Sequence, residues 1–366
     1  MSKGEKDLQD LGLRILTWYA SNQRQLPWRK TRNPYHIWVS EVMLQQTQVE
    51  TVIPYYRRFL SRFPTVEVLA AAPLDNVLKV WENMGYYARA RNLHTAAMEV
   101  VKRFGGRVPS TRDELVRLPG IGDYTAGAIL SIAFGQPVPA IDANVRRVMV
   151  RIYAIDQPIE QSRTQRRIAD LTRNLLPGDH PGLFNQALMD LGAGICTPRT
   201  PQCTVCPVCS SCAASQRNLQ DVLPVSRKRA PIPHNHVTAG VVNDVRGRIL
   251  VVRRPDKGLL GGLWKFPGGP QETDETLECC LQKRVLEEAG IRIRVGRPIV
   301  SVNHAYTHFR ITLHAFQCTH EAGKPRSLGC TDWQWMTLPQ LKDLAFSKAD
   351  RKIIEVLISE IDQAAA

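Results

Sequence analysis

Through roughly the first 215 residues, apolar side chains recur at every third or fourth position. DLQDLGLRILTWYA, APLDNVLKVW, RNLHTAAMEVVKRF and FNQALMDLGAGI each show this spacing, which lays one apolar face along a helix. Strand-like alternation is absent from this half. Beyond it, HVTAGVV, RILVVRR, RIRVGRPIVSV and FRITLHAFQC read as strands, with one helix over about 275–289. The polar, basic, proline-containing QRNLQDVLPVSRKRAPIPHNH separates the two patterns. The pattern predicts a multidomain chain: an all-α domain over 1–215, a linker over 216–234 and an α+β domain over 235–366. No repeat relates the halves.

Capping signals refine the helical half. In TRDELVRLPGIGDYTAGAILSIAF, Thr111 and Glu114 fit a capping box, Pro119 and Gly120 end the first helix, and Asp123 is placed to cap the second. This predicts a helix-hairpin-helix over 111–134. Gly120 and Gly122 permit close backbone approach, and the amides at the second helix's N-terminus offer a sequence-independent phosphate grip; an ordinary tight turn is the alternative. Asn33 and Pro34 read as N-cap and first helical residue, which puts Ile37, Glu41, Leu44 or Gln45, and Gln48 on one face. Glu41 stands alone as a carboxylate among Ile37, Trp38, Val42, Met43 and Leu44. Apolar wrapping raises a carboxyl pKa, so Glu41 is a candidate proton donor. Asp142 precedes ANVRRVMVRIYAI as its expected N-cap.

Composition narrows the chemistry. With 366 residues, 43% of them hydrophobic, and a net charge of +14, the chain can build more than one core and favours a polyanionic partner such as nucleic acid. No run approaches the ~20 apolar residues of a membrane span, and MSKGEKDLQDLGLRIL lacks a signal-peptide core, so a cytosolic protein is expected. Reduced thiols then suggest metal binding. CTPRTPQCTVCPVCSSC offers Cys196, Cys203, Cys206 and Cys212 in C-x6-C-x2-C-x5-C spacing, with Cys209 as a fifth thiol. Prolines 198, 201 and 207 keep the loop irregular, which suits an iron–sulfur cluster; a four-cysteine zinc site fits the spacing as well.

LPGIGDYTAGAI, PAIDANVRRV and the cysteine loop together resemble the helix-hairpin-helix DNA glycosylases that carry an iron–sulfur cluster, over residues 5–215. The resemblance implies a [4Fe-4S] cluster, and it implies that Asp142, with Asn144 beside it, faces the sugar while Glu41 protonates the base. Bifunctional relatives carry a lysine where this chain has Tyr124, so base removal without efficient strand cleavage is implied. LPWRKTRNPYHIWVSEVMLQQTQV further resembles adenine glycosylases of the MutY type, which flip out adenine paired with 8-oxoguanine. On that likeness Arg24, Leu26, Trp28, Arg29 and Gln186 surround the adenine, whereas Gln46, Thr47, Met84 and Tyr86 contact the gap and the opposite base. The implied partner is duplex DNA with adenine opposite 8-oxoguanine or guanine, bound by a monomer in the bacterial cytoplasm, at the nucleoid.

WKFPGGPQETDETLECCLQKRVLEEAGI resembles a Nudix box, but Lys283-Arg284 stands where Arg-Glu is expected, which places a cation among the metal-gathering carboxylates. Such relatives read the base opposite adenine with a loop, implied here to be Tyr306-Thr307-His308. Ala143 replaces a usual glycine and is expected to shift the Asp142 cap. Three other readings remain: a Nudix pyrophosphatase, a non-catalytic iron–sulfur DNA-binding protein and a thymine-mismatch glycosylase.

Overall fold

Asn33 starts the Pro34–Leu44 helix as expected: its side-chain oxygen accepts the Tyr35 and His36 amides at 2.9 and 3.3 Å. Residues 35–43 of this helix are all buried except His36, so it runs through the protein rather than along its surface. The helix stops at Leu44 and Gln46 takes φ +56°, so Gln48 caps the next helix, Val49–Arg62, instead of extending the Glu41 face. These features come from a computed structural model, which describes residues 3–225, 232–272, 274–306 and 308–365.

The helix-hairpin-helix forms with one change. Thr111 accepts the Glu114 amide at the start of Arg112–Leu115, but the second helix, Asp123–Ile132, is capped by Gly122, and Asp123 pairs with Arg112 instead. A β-carbon on Gly120, at φ +79°, would lie 2.8 Å from that of Asn92, so this turn requires glycine.

Two further glycines and one buried amide set the loop before Asp142. Gly127 lets the hairpin's second helix approach so closely that a β-carbon there would meet the Pro139 carbonyl at 2.3 Å. A β-carbon on Gly182 would meet the Ser131 carbonyl at 2.6 Å. The fully buried Asn185 donates to Ser131 and to the Val138 carbonyl and accepts the Ala140 amide at 3.1 Å. Beside this loop, Leu11, Ile15 and Tyr19 of the first helix pack on Val145, Met149, Phe184 and Leu188. Leu219 and Leu223, within the expected linker, join that core, and the Leu223 carbonyl accepts from Arg151; linker residues 226–231 lie outside the described residues, and His234 already belongs to the first strand.

The C-terminal region forms a mixed sheet of β1 (His234–Asn243), β2 (Ile249–Arg253), β3 (Trp264–Lys265), β4 (Arg292–Ala305), β5 (Arg310–Ala322) and β6 (Asp332–Met336). The order is β3-β2-β1-β5-β4, with β6 on β2; β1 and β5 run parallel, and the other pairs are antiparallel. Alternating residues of β2 feed opposite faces: Ile249 and Val251 pack with the Lys348–Ala365 helix, Leu250 and Val252 with the Leu277–Ala289 helix. The sheet is therefore covered by a helix on each side.

Contacts group Met1–Ala71 with Asn92–Arg229 in one compact unit, and Ala72–Arg91 with Ala230–Ala366 in a second. The sheet unit thus takes in a stretch that lies far from it in sequence. Among the described residues no helix is long and apolar enough to cross a membrane.

Gly127→Ala should destabilise the helical unit by about 1–3 kcal/mol, because its methyl must displace the Pro139 backbone. Denaturant unfolding checks this; an unchanged midpoint would show that the Pro139 loop yields freely.

Candidate active site

One cavity of about 670 Å³ in the helical unit gathers eleven of the candidate site residues singled out above. Glu41, Tyr124, Asp142 and Asn144 line it, as do Arg24, Leu26, Trp28, Arg29, Gln186, Gln46 and Thr47. Gly120 and Gly122 lie at the hairpin turn, outside this lining. Met84 and Tyr86 belong to the sheet unit.

Glu41 is 4% exposed, and the Tyr124 hydroxyl donates a short hydrogen bond to its Oε2. Burial pushes the Glu41 carboxyl up to about 7; the tyrosine hydrogen bond and Arg29 oppose the rise, while the charge of Asp142 adds to it. Burial, with the two carboxylates nearby, pushes the Tyr124 hydroxyl well above its ordinary value, so it remains a donor.

Asp142 combines two roles without conflict. Its Oδ1 accepts the Val145 amide at 2.7 Å, which caps the Ala143–Ile152 helix, and its Oδ2 accepts from Asn144 Nδ2 at 2.9 Å. The cap forms normally with Ala143 following it, so the extra β-carbon does not displace it. Burial raises the Asp142 carboxyl, and the Val145 amide and Asn144 amide limit the rise.

Three residues not singled out in the sequence support this site. Arg147 donates to Asn144 Oδ1 at 2.9 Å, to the Gly192 carbonyl at 2.8 Å and to the Cys196 carbonyl at 2.7 Å, which joins the cysteine loop to the Asp142 cap. Arg151, 1% exposed, donates to the Thr197 and Pro198 carbonyls and lies 3.3 Å from Cys196 Sγ. Asp190 receives Arg29 at 2.6 and 2.9 Å and Arg24 at 2.7 Å. Burial alone would raise the Asp190 carboxyl, but Arg29 and then Arg24 hold it below the usual range. A lone acid in the apolar FNQALMDLGAGI is the same signal that marks Glu41.

The five cysteines Cys196, Cys203, Cys206, Cys209 and Cys212 line a small cavity of about 20 Å³ together with Arg151. Burial, with the neighbouring thiols, raises Cys206 to about 11, so an array of thiolates here needs a positive centre to form. Ser215 Oγ lies 3.3 Å from Cys209 Sγ and also hydrogen-bonds to the Cys203 side chain.

In the sheet unit, Arg284 binds Glu287 and Glu272 at 2.9 and 2.8 Å, and the buried Lys265 binds Glu288 at 2.8 Å. Cations therefore occupy the carboxylates a magnesium ion would need. Among the described residues no group of three or more His, Cys, Asp or Glu side chains is placed to hold a metal ion. Tyr306 packs between His304 and Phe309 and lines a cavity of about 410 Å³; His308 is exposed, and Thr307 lies outside the described residues.

Residues 39–174 match the HhH-GPD superfamily of base excision DNA repair proteins, and residues 238–356 match the NUDIX domain. The chain is 36% identical to an adenine DNA glycosylase of Rattus norvegicus across 93% of its own length and 77% of the relative's. It belongs to the adenine DNA glycosylases. The Homo sapiens adenine DNA glycosylase is likewise 36% identical, across 93% of this chain and 73% of that one. The helical region also aligns with a solved thermostable thymine-DNA glycosylase, 31% identical at TM-score 0.54, over 59% of this chain and all of the other. The glycosylase is thus a base excision repair enzyme that acts on DNA.

Glu41 holds a proton in the folded enzyme between about 4.5 and about 7, where the unfolded chain has released it. Stability must therefore fall as pH rises through that window. Glu41→Gln removes the titration, so relative to wild type it should gain about 3 kcal/mol between pH 4 and pH 8. Denaturant unfolding at the two values tests this, and a pH-independent difference would mean that Glu41 titrates normally.

Proposed function

We propose that this glycosylase hydrolyses the N-glycosidic bond of adenine opposite 8-oxoguanine or guanine, as a cytoplasmic monomer acting on nucleoid DNA, without cleaving the strand. The observation that carries the reading is a protonatable Glu41, held by Tyr124, in one cavity with an Asp142 fixed by its own helix.

The chemistry follows from those positions. The C1′–N9 bond breaks with its electron pair going to adenine, and the Glu41 proton neutralises the leaving base. Positive charge develops on the sugar, where the Asp142 carboxylate stabilises it without reorganising, since its lone pairs are already oriented by Val145 and Asn144. Water adds to C1′ and its proton restores Glu41. Tyr124 supplies no amine, so no Schiff base forms with the sugar. Leu26, Trp28 and Gln186, with Arg24 and Arg29 held on Asp190, form the wall against which the flipped adenine rests.

In this reading Cys196, Cys203, Cys206 and Cys212 are the residues that would hold a [4Fe-4S] cluster. Cys209 stands outside this ligand set, and the Arg151 guanidinium, 3.3 Å from Cys196 Sγ, would offset negative charge on the thiolates. When bound, the cluster cross-links the loop whose Cys196 carbonyl receives Arg147. Gln46, Thr47, Met84 and Tyr86 fill the space left by the flipped base, the Gly120 and Gly122 hairpin grips phosphate, and Tyr306, Thr307 and His308 read the opposite base.

Duplexes with A opposite 8-oxoguanine, A opposite guanine and T opposite guanine test this directly. Adenine should be released from the first two, with the strand intact until hot alkali, and Glu41→Gln should slow release at least about a hundredfold while duplex binding persists. Thymine release, or a covalent adduct trapped by borohydride, would contradict the assignment.

A further inference from the structure

The sheet unit includes residues 72–91, and the reason lies in a few polar contacts. Glu82 Oε1 accepts from Arg351 Nε at 2.5 Å and from the Phe346 amide at 3.1 Å, while its Oε2 accepts from Lys79 at 2.9 Å. Both partners of the Glu82–Arg351 pair are largely buried, with side chains 13% and 14% exposed. Arg351 is fixed by more than its charge. It donates to the Leu341 carbonyl at 3.1 Å and to the Leu344 carbonyl, and its guanidinium stacks 5.1 Å from the Phe346 ring. Phe346 is itself tied to the sheet, because Trp264 of β3 donates to the Ala345 carbonyl at 2.9 Å. Lys79 and Tyr87 add donors to the Leu344 and Phe346 carbonyls.

Directly after Glu82 the chain makes an unusual turn. Asn83, Gly85 and Tyr86 all have positive φ, at 71°, 80° and 49°, a conformation that Gly and Asn accommodate and that disfavours Tyr. The Gly85 carbonyl accepts from Trp81 Nε1 at 3.1 Å and from Arg89 at 3.2 Å. Arg89 stacks between the Trp81 and Tyr86 rings, at 5.4 and 5.3 Å. The outcome is a large aromatic side chain, 46% exposed, presented from a backbone that only its surroundings can hold.

We propose that the Glu82–Arg351 pair is a positioning device through which the C-terminal sheet unit sets the Tyr86 turn, so that this unit controls insertion of Tyr86 into the base stack as well as reading the opposite base. The proposal rests on the reading that Tyr86 enters DNA. Loss of Arg351 would leave the largely buried Glu82 with Lys79 as its cation, and loss of the Glu82 charge would take the paired carboxylate from Arg351, so in either case the turn would relax and its strained conformers would lose population.

The test uses the full-length enzyme with duplexes carrying 2-aminopurine beside the mismatch, whose fluorescence reports insertion. Arg351→Met and Glu82→Gln should weaken mismatch binding about fivefold to tenfold and blunt the fluorescence change, yet leave adenine release from the saturated complex within about twofold. Arg351→Lys, which keeps the charge, should recover part of both signals. In a Tyr86→Ala background, Arg351→Met should add nothing, whereas a general loss of structure would add its own cost. Should Arg351→Met fail to fold, Glu82→Gln carries the comparison, since its amide oxygen still accepts the Phe346 amide. Wild-type binding and fluorescence in Glu82→Gln, alongside impaired Tyr86→Ala, would overturn the positioning role alone. An unimpaired Tyr86→Ala would overturn the reading of Tyr86 itself and the proposal with it.

Discussion

A single hydrogen bond, from the Tyr124 hydroxyl to the Glu41 carboxylate, joins the two helices on which the chemistry depends. Burial would drive Glu41 far toward its neutral form; the tyrosine restrains that drift and leaves the group poised near neutrality. Several other features place these groups in one cavity. Asn33 starts the glutamate's helix, Gly120 allows the hairpin to turn, and Gly127 and Asn185 bring the Asp142 loop to the same cavity.

The two carboxylates are treated oppositely in detail. Both are raised by burial, but Asp142 is bonded through both oxygens to donors that favour its charged form, whereas Glu41 has one donor. That asymmetry separates an acid from an electrostatic stabiliser in one pocket, which is how paired carboxyl groups acquire different tasks. Arg24 and Arg29 are both paired with Asp190, and Arg29 offsets only part of the rise that burial imposes on Glu41.

Local signals made much of this legible. Asn33-Pro34, the Thr111 cap and the cap position of Asp142 depend on neighbours within four residues, and the structure follows each of them. Periodicity misled where a helix ended without a distinctive stop, as at Leu44, and where either of two adjacent residues could cap, as at Gly122 and Asp123. Contacts between distant residues were not legible. Asp190 meets Arg24 across 166 residues, and Glu82 meets Arg351 across 269, so neither pair leaves a spacing to read. The assignment of 72–91 to the sheet unit follows from such contacts, and a linker read from composition alone could not reveal it. Leu219 and Leu223 show the same limit, since two apolar residues in a polar stretch were enough to anchor it to the helical core.

The pH dependence of adenine release, measured with enzyme below saturation so that it reports groups of the free enzyme, tests the central claim most directly. The account predicts a rate that declines as pH rises through about 7, where Glu41 loses its proton. In Tyr124→Phe, which removes the hydrogen bond that lowers the Glu41 pKa, this decline should move to higher pH. A limb that stays in place in Tyr124→Phe, or a wild-type rate with no decline near neutrality, would contradict it.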